Sequence, residues 1–359
     1  MINFFPTPNN IPTDYKLKTI PEDFIVKEVS LEPELSPKEE SQFTYFLLKK
    51  IGLSTFNALE KIADYFNLPY QDVSSQGLKD EDGITFQTIS VKKIVLQNDL
   101  ILFNKLYIEK DYLIKLENII GYGKQEVKIA LLHGNVFNLI IRNLTNDEAK
   151  RFNSYFYSKK LVSFINYYDS QRFGVIGNQL NTHMIGENMV EGNWEEAYRQ
   201  LIASGNLDKN AKKLEEIGII DNIKNFFRQI NPTKVRFFIS SYNSWLWNKG
   251  LNDYIKKQRG SKKNNFSLLG ELFLLSNYNS ELKNIFTSPG YRINMDNFLV
   301  SNKNCSRSII VNTKMFILST ASDEIYQGKE KINISFFLPA GSYATMFVSQ
   351  MFWQLNNYK

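Results

Sequence analysis

The 359-residue chain has a single cysteine, Cys305, and only two histidines, His133 and His183. One cysteine cannot form an intramolecular disulfide, so nothing in the sequence points to an oxidising compartment. Two histidines far apart in the sequence and one cysteine also do not supply the ligand cluster of a zinc site. We therefore expect no metal site, and we interpret both histidines as structural residues.

The sequence also lacks the short motifs of several common enzyme classes. Neither a GxxxxGK[ST] loop nor a GxSxG motif occurs, and a dinucleotide-binding pattern that opens at Gly121 fails because Glu126 stands at the third glycine position. No apolar run is long enough to span a membrane, and the N-terminus does not resemble a signal peptide. These absences disfavour nucleotide hydrolysis, hydride transfer and serine-esterase chemistry. They predict a cytoplasmic protein with no membrane association and no small-molecule cofactor.

The composition that remains is typical of a globular protein with a polyanionic partner. Hydrophobic residues make up 43% of the chain and charged residues 22%, and the formal net charge is +6. A mild positive charge favours a polyanion, and 14% aromatic residues offer surfaces on which bases can stack. A chain of this length is long for one core and suits two domains.

The segment around Asp80 is the most informative one. Residues 75–87 read SQGLKDEDGITFQ, which places Asp80 on a turn that opens at Gly77 and precedes an alternating, strand-like segment. A carboxylate held at a strand edge can act as a nucleophile. The same residues also suit an ordinary solvated acidic hairpin, and this segment alone does not decide between the two interpretations.

Five ordered blocks together resemble the tRNA pseudouridine synthase D (TruD) family. The first is the Asp80 segment, which is similar to the family's catalytic signature. The others are PEDFIV at 21–26, GNVF at 134–137 followed by Leu139 and Arg142, NYYDSQRFG at 166–174 and FLPAGSYAT at 337–345. Tyr168 and Asp169 depart from the family pattern. Because the blocks occur in the family's order and span almost the whole chain, the resemblance is strong.

The patterning along the chain predicts a mixed α/β (α+β) fold. Strand and helix patterns alternate up to Gly174, helical periodicity then occupies 191–205, 208–217, 220–230 and 233–257, and strand patterns return from about Phe298. The resemblance implies a pseudouridine synthase catalytic domain with a mixed, largely antiparallel sheet, interrupted by a mainly helical insertion domain. We predict the catalytic domain at 1–174 and 301–359, and the insertion domain at 175–300.

The resemblance implies that Asp80 is the catalytic nucleophile. Burial alone would neutralise a carboxyl group, so a cation has to lie next to it. Lys18 is expected to supply that cation, because the family has a lysine at this distance before its entry-strand phenylalanine. Lys79 is the second choice. On an extended strand it would face away from Asp80 and would instead reach substrate phosphate.

A target base that leaves its stack is usually received by an aromatic side chain. Phe24 and Phe137 are the candidates here, and the resemblance places Phe137 against the uracil with Asn135 nearby as a polar contact. Considered alone, Phe137 is more typical of a core residue than of a stacking residue, and this order reverses when Asn135 and Asp80 are considered with it. Arg172 is predicted to contact RNA or to position Asp80, with a structural salt bridge as the alternative.

The leading hypothesis is an isomerase that converts a uridine in tRNA to pseudouridine, and the resemblance implies position 13 in the D arm. Lys124 and Lys128 are expected to contact tRNA phosphates. The basic run 256–263 either contacts the RNA backbone or is a solvated loop, and the sequence does not decide between the two. We expect a monomer.

Two alternative functions stay open. One is a metal-dependent RNA hydrolase that uses Asp80 with its acidic neighbours, and the other is a noncatalytic RNA-binding protein.

Overall fold

A computed structural model describes residues 14–107, 112–128, 131–174, 181–205, 223–267, 270–275 and 284–357. The helix predicted at 208–217 lies outside these residues. The chain separates into two compact units, one formed by 13–162 and 312–342 and the other including 163–311 and 343–359. The boundaries of the units differ from those of the predicted domains, 1–174 with 301–359 and 175–300. The domain division stays a prediction.

The first unit is built on one mixed sheet. Its strands are β1 (Phe24–Ser30), β2 (Phe43–Ile51), β3 (Val73–Ser75), β4 (Ile84–Val91), β5 (Leu113–Gly123), β6 (Leu132–Leu144), β13 (Met315–Ser322) and β14 (Glu330–Pro339). They are arranged in the order β13-β14-β6-β1-β4-β2-β5, and β3 pairs with β4. The pair β1–β4 is parallel and the other pairs are antiparallel. The predicted mixed and largely antiparallel sheet is therefore confirmed.

Strand β6 connects the N-terminal and the C-terminal strands of this sheet, because it pairs with β1 on one side and with β14 on the other. Phe137 is paired with Val26 of β1 on one side and with Phe336 of β14 on the other. The period-two rule puts Phe137, Leu139 and Ile141 on one face, and all three are buried. The chain after residue 312 thus completes the sheet that the first 144 residues begin.

Three helices accompany the sheet: α1 (Thr55–Phe66), α2 (Gln97–Leu106) and α3 (Asn146–Tyr157). Ser54 caps α1 by accepting a hydrogen bond from the Asn57 amide, and Thr145 and Glu148 form a capping box at α3. Both caps confirm the sequence predictions. The buried face of α1, which includes Ala58, packs in one hydrophobic cluster with residues of β2, β4 and β5.

The second unit contains helices and two β-hairpins. Its helices are α4 (Thr182–Glu191), α5 (Trp194–Ala203), α6 (Ile223–Gln229), α7 (Pro232–Lys256) and α8 (Ala344–Asn357). Its hairpins are β8–β9 (Ser261–Ser267 and Gly270–Leu275) and β10–β11 (Ile285–Asn294 and Leu299–Ser308), and the short strands β7 (Val162–Ile165) and β12 (Ile310–Thr313) also pair.

A strand at the expected return near Phe298 is present as β11, but strands already occur from Ser261, earlier than predicted. Strand β10 contains Pro289 and Gly290, which sequence rules assign to turns. Strand β11 is mostly polar, so it has no apolar alternation to reveal it. Both strands occur in a two-stranded ribbon, where a proline can face away from the partner strand.

The position of β13 and β14 predicts which deletion the sheet tolerates. Removing 175–300 behind a short linker should leave more soluble, folded protein than ending the chain at Val300. The reason is that truncation takes away β13 and β14 and exposes the β14-facing edge of β6. Soluble yield and thermal melting of the two proteins provide the measurement. A more soluble and more stable truncation product would contradict this account of the sheet.

Candidate active site

Asp80 lies on the loop that joins β3 to β4. The loop ends at Gly83, where an added Cβ atom would come within 2.3 Å of the carbonyl oxygen of Phe24. Only glycine permits this approach, which brings the loop next to the first residue of β1. The loop begins at Gly77, whose φ of 151° also favours glycine. The two glycines of the Asp80 motif therefore fix where the loop starts and how closely it returns to the sheet.

The parallel pairing of β1 and β4 explains why Lys18 and Asp80 meet. Ile25 of β1 is paired with Ile84 of β4, so both strands begin at the same edge of the sheet. The segment that precedes β1 contains Lys18, and the loop that precedes β4 contains Asp80. Two side chains 62 positions apart in the sequence are thereby placed side by side.

Lys18 and Asp80 form an ion pair in a largely enclosed position. The Lys18 Nζ donates to Asp80 Oδ1 at 2.8 Å, and the two side chains are 15% and 14% exposed. Asp82 Oδ2 lies 3.8 Å from the same ammonium, which is also 4.4 Å from the ring centroid of Phe24. Lys18 thus has the predicted position. Its catalytic role stays a prediction.

The segment around Lys18 is held in an unusual backbone conformation. Lys18 has a φ of 59°, a left-handed conformation that a residue with a side chain rarely adopts. Two backbone hydrogen bonds of 3.0 Å between Lys16 and Arg142 hold this segment. The buried Arg142 guanidinium in turn binds the carboxylates of Asp23 and Asp323 at 2.8 Å. A buried charged network therefore supports the strained residue next to Asp80.

Lys79 does not join this pair. Its ammonium lies 2.6 Å from Glu28 Oε2, and both side chains are 2% exposed. The other oxygen of Glu28 accepts a hydrogen bond from the Thr88 amide at 3.1 Å. The expectation that Lys79 faces away from Asp80 agrees with this geometry. A contact between Lys79 and substrate would first require the Glu28 pair to open.

A second lysine, which the sequence reasoning missed, does contact the Asp80 loop. Lys50, on β2, has no exposed surface, and its ammonium donates to the main-chain oxygens of Asp80 and of Leu53, the latter at 3.0 Å. Burial lowers the pKa of Lys50 to about 8. Strand alternation gave a signal for it, because Phe46, Leu48 and Lys50 share one face of β2 and the first two are core residues.

Phe24 and Phe137 are close to each other in the sheet, and Asn135 precedes Phe137 by two positions on β6. The rings of Phe24 and Phe137 are 6.1 Å apart in an edge-to-face arrangement, and Phe137 stacks on Phe336 at 5.4 Å. Phe137 is only 3% exposed, so in this structure it is packed as a core residue. Asn135 has a buried Oδ1 atom that accepts no hydrogen bond from any described residue.

Arg172 belongs to the second unit, where its partners are hydroxyl groups and an aromatic ring. Its Nε donates to Ser244 Oγ at 3.2 Å and its terminal nitrogen donates to Ser240 Oγ. The guanidinium carbon lies 4.8 Å from the ring centroid of Phe237. These contacts attach Arg172 to helix α7. Its predicted roles at Asp80 and in RNA binding stay predictions.

The acidic residues of the loop do not form a metal cage. Among the residues that the structure describes, no group of three His, Cys, Asp or Glu side chains could hold a metal ion. Asp80 is paired with Lys18, and Asp82 is 67% exposed. The pKa of Glu81 is raised, mainly by burial and then by the charge of Asp82.

Comparisons with known proteins identify the family. A sequence profile described as tRNA pseudouridine synthase D (TruD) matches residues 7–222. The chain belongs to the TruD family. A protein from Aquifex aeolicus named tRNA pseudouridine synthase D is 25% identical, over 94% of this chain and 98% of that protein. A protein from Methanococcus maripaludis named probable tRNA pseudouridine synthase D 1 is 28% identical, over 92% and 97%.

The fold of the chain is also that of a solved TruD structure. The crystal structure of a putative tRNA pseudouridine synthase D from Methanosarcina mazei superposes with a TM-score of 0.51 at 22% identity, and the match covers 94% of this chain and 93% of that one. The predicted family, enzyme class and fold class are confirmed. No described helix has the length and apolar character needed to cross a membrane.

The lowered pKa of Lys50 predicts a specific pH dependence of stability. Between about pH 8 and its unfolded value of 10.5, Lys50 is neutral in the folded protein and charged in the unfolded chain. The unfolded chain then binds more protons, so the stability contributed by this group rises with pH. The free energy of unfolding of the wild type, minus that of Lys50→Met, should increase by about 2 kcal/mol from pH 8 to pH 10.

Denaturant unfolding of both proteins at several pH values measures this difference. Other groups that titrate in this range are common to both proteins, so they cancel in the subtraction. A difference that stays constant over the range would show that folding does not lower the pKa of Lys50.

Proposed function

We propose that this protein converts a uridine of tRNA to pseudouridine, with Asp80 as the nucleophile. The observation that carries the proposal is the enclosed ion pair between Lys18 Nζ and Asp80 Oδ1 at 2.8 Å, next to the ring of Phe24. The target we propose is position 13 in the D arm, which rests on the family resemblance. Family membership supports the tRNA substrate.

The chemical requirements of pseudouridine formation agree with the geometry of this site. The bond between N1 of uracil and C1′ of the ribose breaks, a bond from C5 to C1′ forms, and the hydrogen on C5 is lost while N1 gains a proton. No oxidation, reduction or activated phosphate is involved. The reaction needs an ionised carboxylate where water is excluded. Such a carboxylate also needs a nearby opposite charge, and the Lys18 ammonium supplies one at 2.8 Å from Asp80 Oδ1.

Phe24, Phe137 and Asn135 are proposed to receive the target base. Aromatic rings support an unstacked base, and a buried acceptor without a donor is unfavourable unless a ligand supplies one. The Oδ1 atom of Asn135 is such an acceptor among the described residues, and the N3–H group of uracil is a donor of the right kind. Since Phe137 is 3% exposed, a base would have to displace part of its present packing to stack on it.

The two alternative functions have less support. A metal-dependent hydrolase needs converging carboxylates, whereas among the described residues no group of three acidic or other ligand side chains could hold a metal ion. A noncatalytic RNA-binding protein has no need for an ion pair as enclosed as that of Lys18 and Asp80, because its affinity comes from exposed charges.

Binding of tRNA is proposed to involve exposed lysines. Lys92, Lys124 and Lys128 line an open cleft of about 550 Å³ in the first unit. Lys124 is exposed and is paired with Glu40 at 2.8 Å, so a phosphate would compete with that carboxylate. The basic run 256–263 is a second candidate for contact with tRNA phosphates.

The monomeric state and the cytoplasmic location stay predictions.

Asp80→Asn should abolish isomerisation and leave the fold and tRNA affinity close to wild type. The amide preserves the shape of the side chain but has no nucleophilic oxygen anion. Turnover is measured by release of tritium from C5 of labelled uridine, and binding by titration with the same tRNA. Glu60→Gln, which removes one acidic charge from helix α1, serves as the charge-matched control. Substantial turnover by a verified Asp80→Asn protein would falsify the nucleophile assignment.

Phe137→Ala should reduce turnover far more than tRNA affinity. Stacking on one base contributes about 1–3 kcal/mol, whereas phosphate contacts elsewhere would be unchanged. Loss of a buried phenylalanine also destabilises a protein by about 3–5 kcal/mol. Phe152→Ala on α3, where the side chain is fully buried, therefore serves as a control for stability.

Both variants should melt at lower temperature than wild type, but only Phe137→Ala should lose turnover when assayed below its melting transition. Equal losses of turnover in the two folded variants would assign Phe137 to the core alone.

A further inference from the structure

Lys50 is a buried lysine next to the candidate nucleophile. It lies near the end of β2, has no exposed surface, and donates from Nζ to the main-chain oxygens of Asp80 and Leu53. A buried ammonium is unfavourable unless nearby groups compensate for the lost hydration. Two carbonyl oxygens partly do so. A neutral donor could bind the same two oxygens without placing a charge in the interior.

Three other hydrogen bonds that hold the main chain of the Asp80 loop are neutral. The Gly52 amide donates to the Glu81 oxygen at 3.1 Å, and the Lys79 amide donates to Thr55 Oγ1 at 3.0 Å. Gln87 Nε2 donates to the Gly77 oxygen at 3.2 Å. These bonds fix the loop before and after Asp80. The bond from Lys50 is the charge-assisted one in this set, and its acceptor is the peptide group of Asp80 itself.

We propose that Lys50 is a positioning residue for the isomerisation, and that its ammonium holds the main chain of Asp80 so that the carboxylate meets the target uridine in one orientation. This inference rests on the proposed function. Lys18 binds the carboxylate of Asp80, and Lys50 binds the main-chain oxygen of Asp80. Both the side chain and the main chain of Asp80 are therefore held. Such a constraint matters because a displacement of about 1 Å can slow an enzyme by about 100-fold.

Protonation of Lys50 should therefore affect the rate. The charged groups that face Lys50 are Asp80, Glu81, Lys79 and Lys18. As pH rises through about 8, Lys50 loses its proton and its bond to Asp80 loses the assistance of the charge. The single-turnover rate should decline over this range, whereas the stability contributed by Lys50 rises over the same range. A residue that serves only the fold would not give these opposite trends.

The experiment compares wild type with Lys50→Met, Lys50→Arg and Lys49→Met in single-turnover assays from pH 6 to pH 9.5. Lys49→Met is the matched control, because the neighbouring Lys49 lies over Phe86 on the other face of β2. Lys50→Met should react about 100-fold more slowly than wild type at pH 7 with unchanged tRNA affinity. Lys50→Arg stays ionised, so it should recover part of the rate and lose the decline near pH 8. Lys49→Met should behave like wild type.

Each outcome either supports or overturns the inference. Equal rates for wild type and folded Lys50→Met, or the same alkaline decline in wild type and Lys50→Arg, would overturn it. If neither Lys50 variant folds, the wild-type profile decides. A decline centred near pH 8 then supports the role, and a flat profile up to pH 9 rejects it. The Asp80→Asn protein separates the two claims. If it is active, the proposed function fails. If it is inactive and the Lys50 variants match wild type, only the role of Lys50 fails.

Discussion

The enclosed ion pair between Lys18 and Asp80 is the interaction on which the proposed site depends. Removing an ion from water costs several kcal/mol, and only a nearby opposite charge and hydrogen bonds offset that cost. Lys18 supplies the opposite charge to Asp80 at 2.8 Å, and both side chains are mostly enclosed. The surrounding structure holds these two residues in place. Arg142 supports the segment of Lys18. Lys50, together with several neutral hydrogen bonds, holds the main chain of the Asp80 loop.

The sheet topology makes this arrangement possible. A parallel pair places the beginnings of two strands at one edge, and β1–β4 is the parallel pair in a sheet whose other pairs are antiparallel. Strand β6 then connects this pair to β14, which follows more than 180 residues later in the chain. The candidate site is therefore assembled from segments far apart in the sequence. Its integrity depends on the C-terminal strands as well as on the N-terminal ones.

Local sequence patterns predicted those features of the fold that neighbouring residues determine, such as helix caps and strand alternation. The Ser54 cap of α1, the Thr145 capping box of α3 and the alternation in β6 all follow from neighbouring residues. The pairing of Lys18 with Asp80 was predicted because the family resemblance and the electrostatics of a buried carboxylate agreed. Alternation in β2 indicated that Lys50 is buried, but it did not reveal that Lys50 contacts a main-chain oxygen 30 residues away. The polar ribbon β10–β11 was missed because its strands bury few side chains and show no apolar alternation.

The central claim is that a single carboxylate without a metal isomerises a uridine in tRNA. The most direct measurement incubates the wild-type protein with folded, unmodified tRNA in chelator, and then maps pseudouridine by carbodiimide-dependent stops in primer extension. The account predicts one new stop, in the D arm, in an RNA strand that remains intact. No stop at any position, or cleavage of the strand that appears only when magnesium is restored, would contradict it.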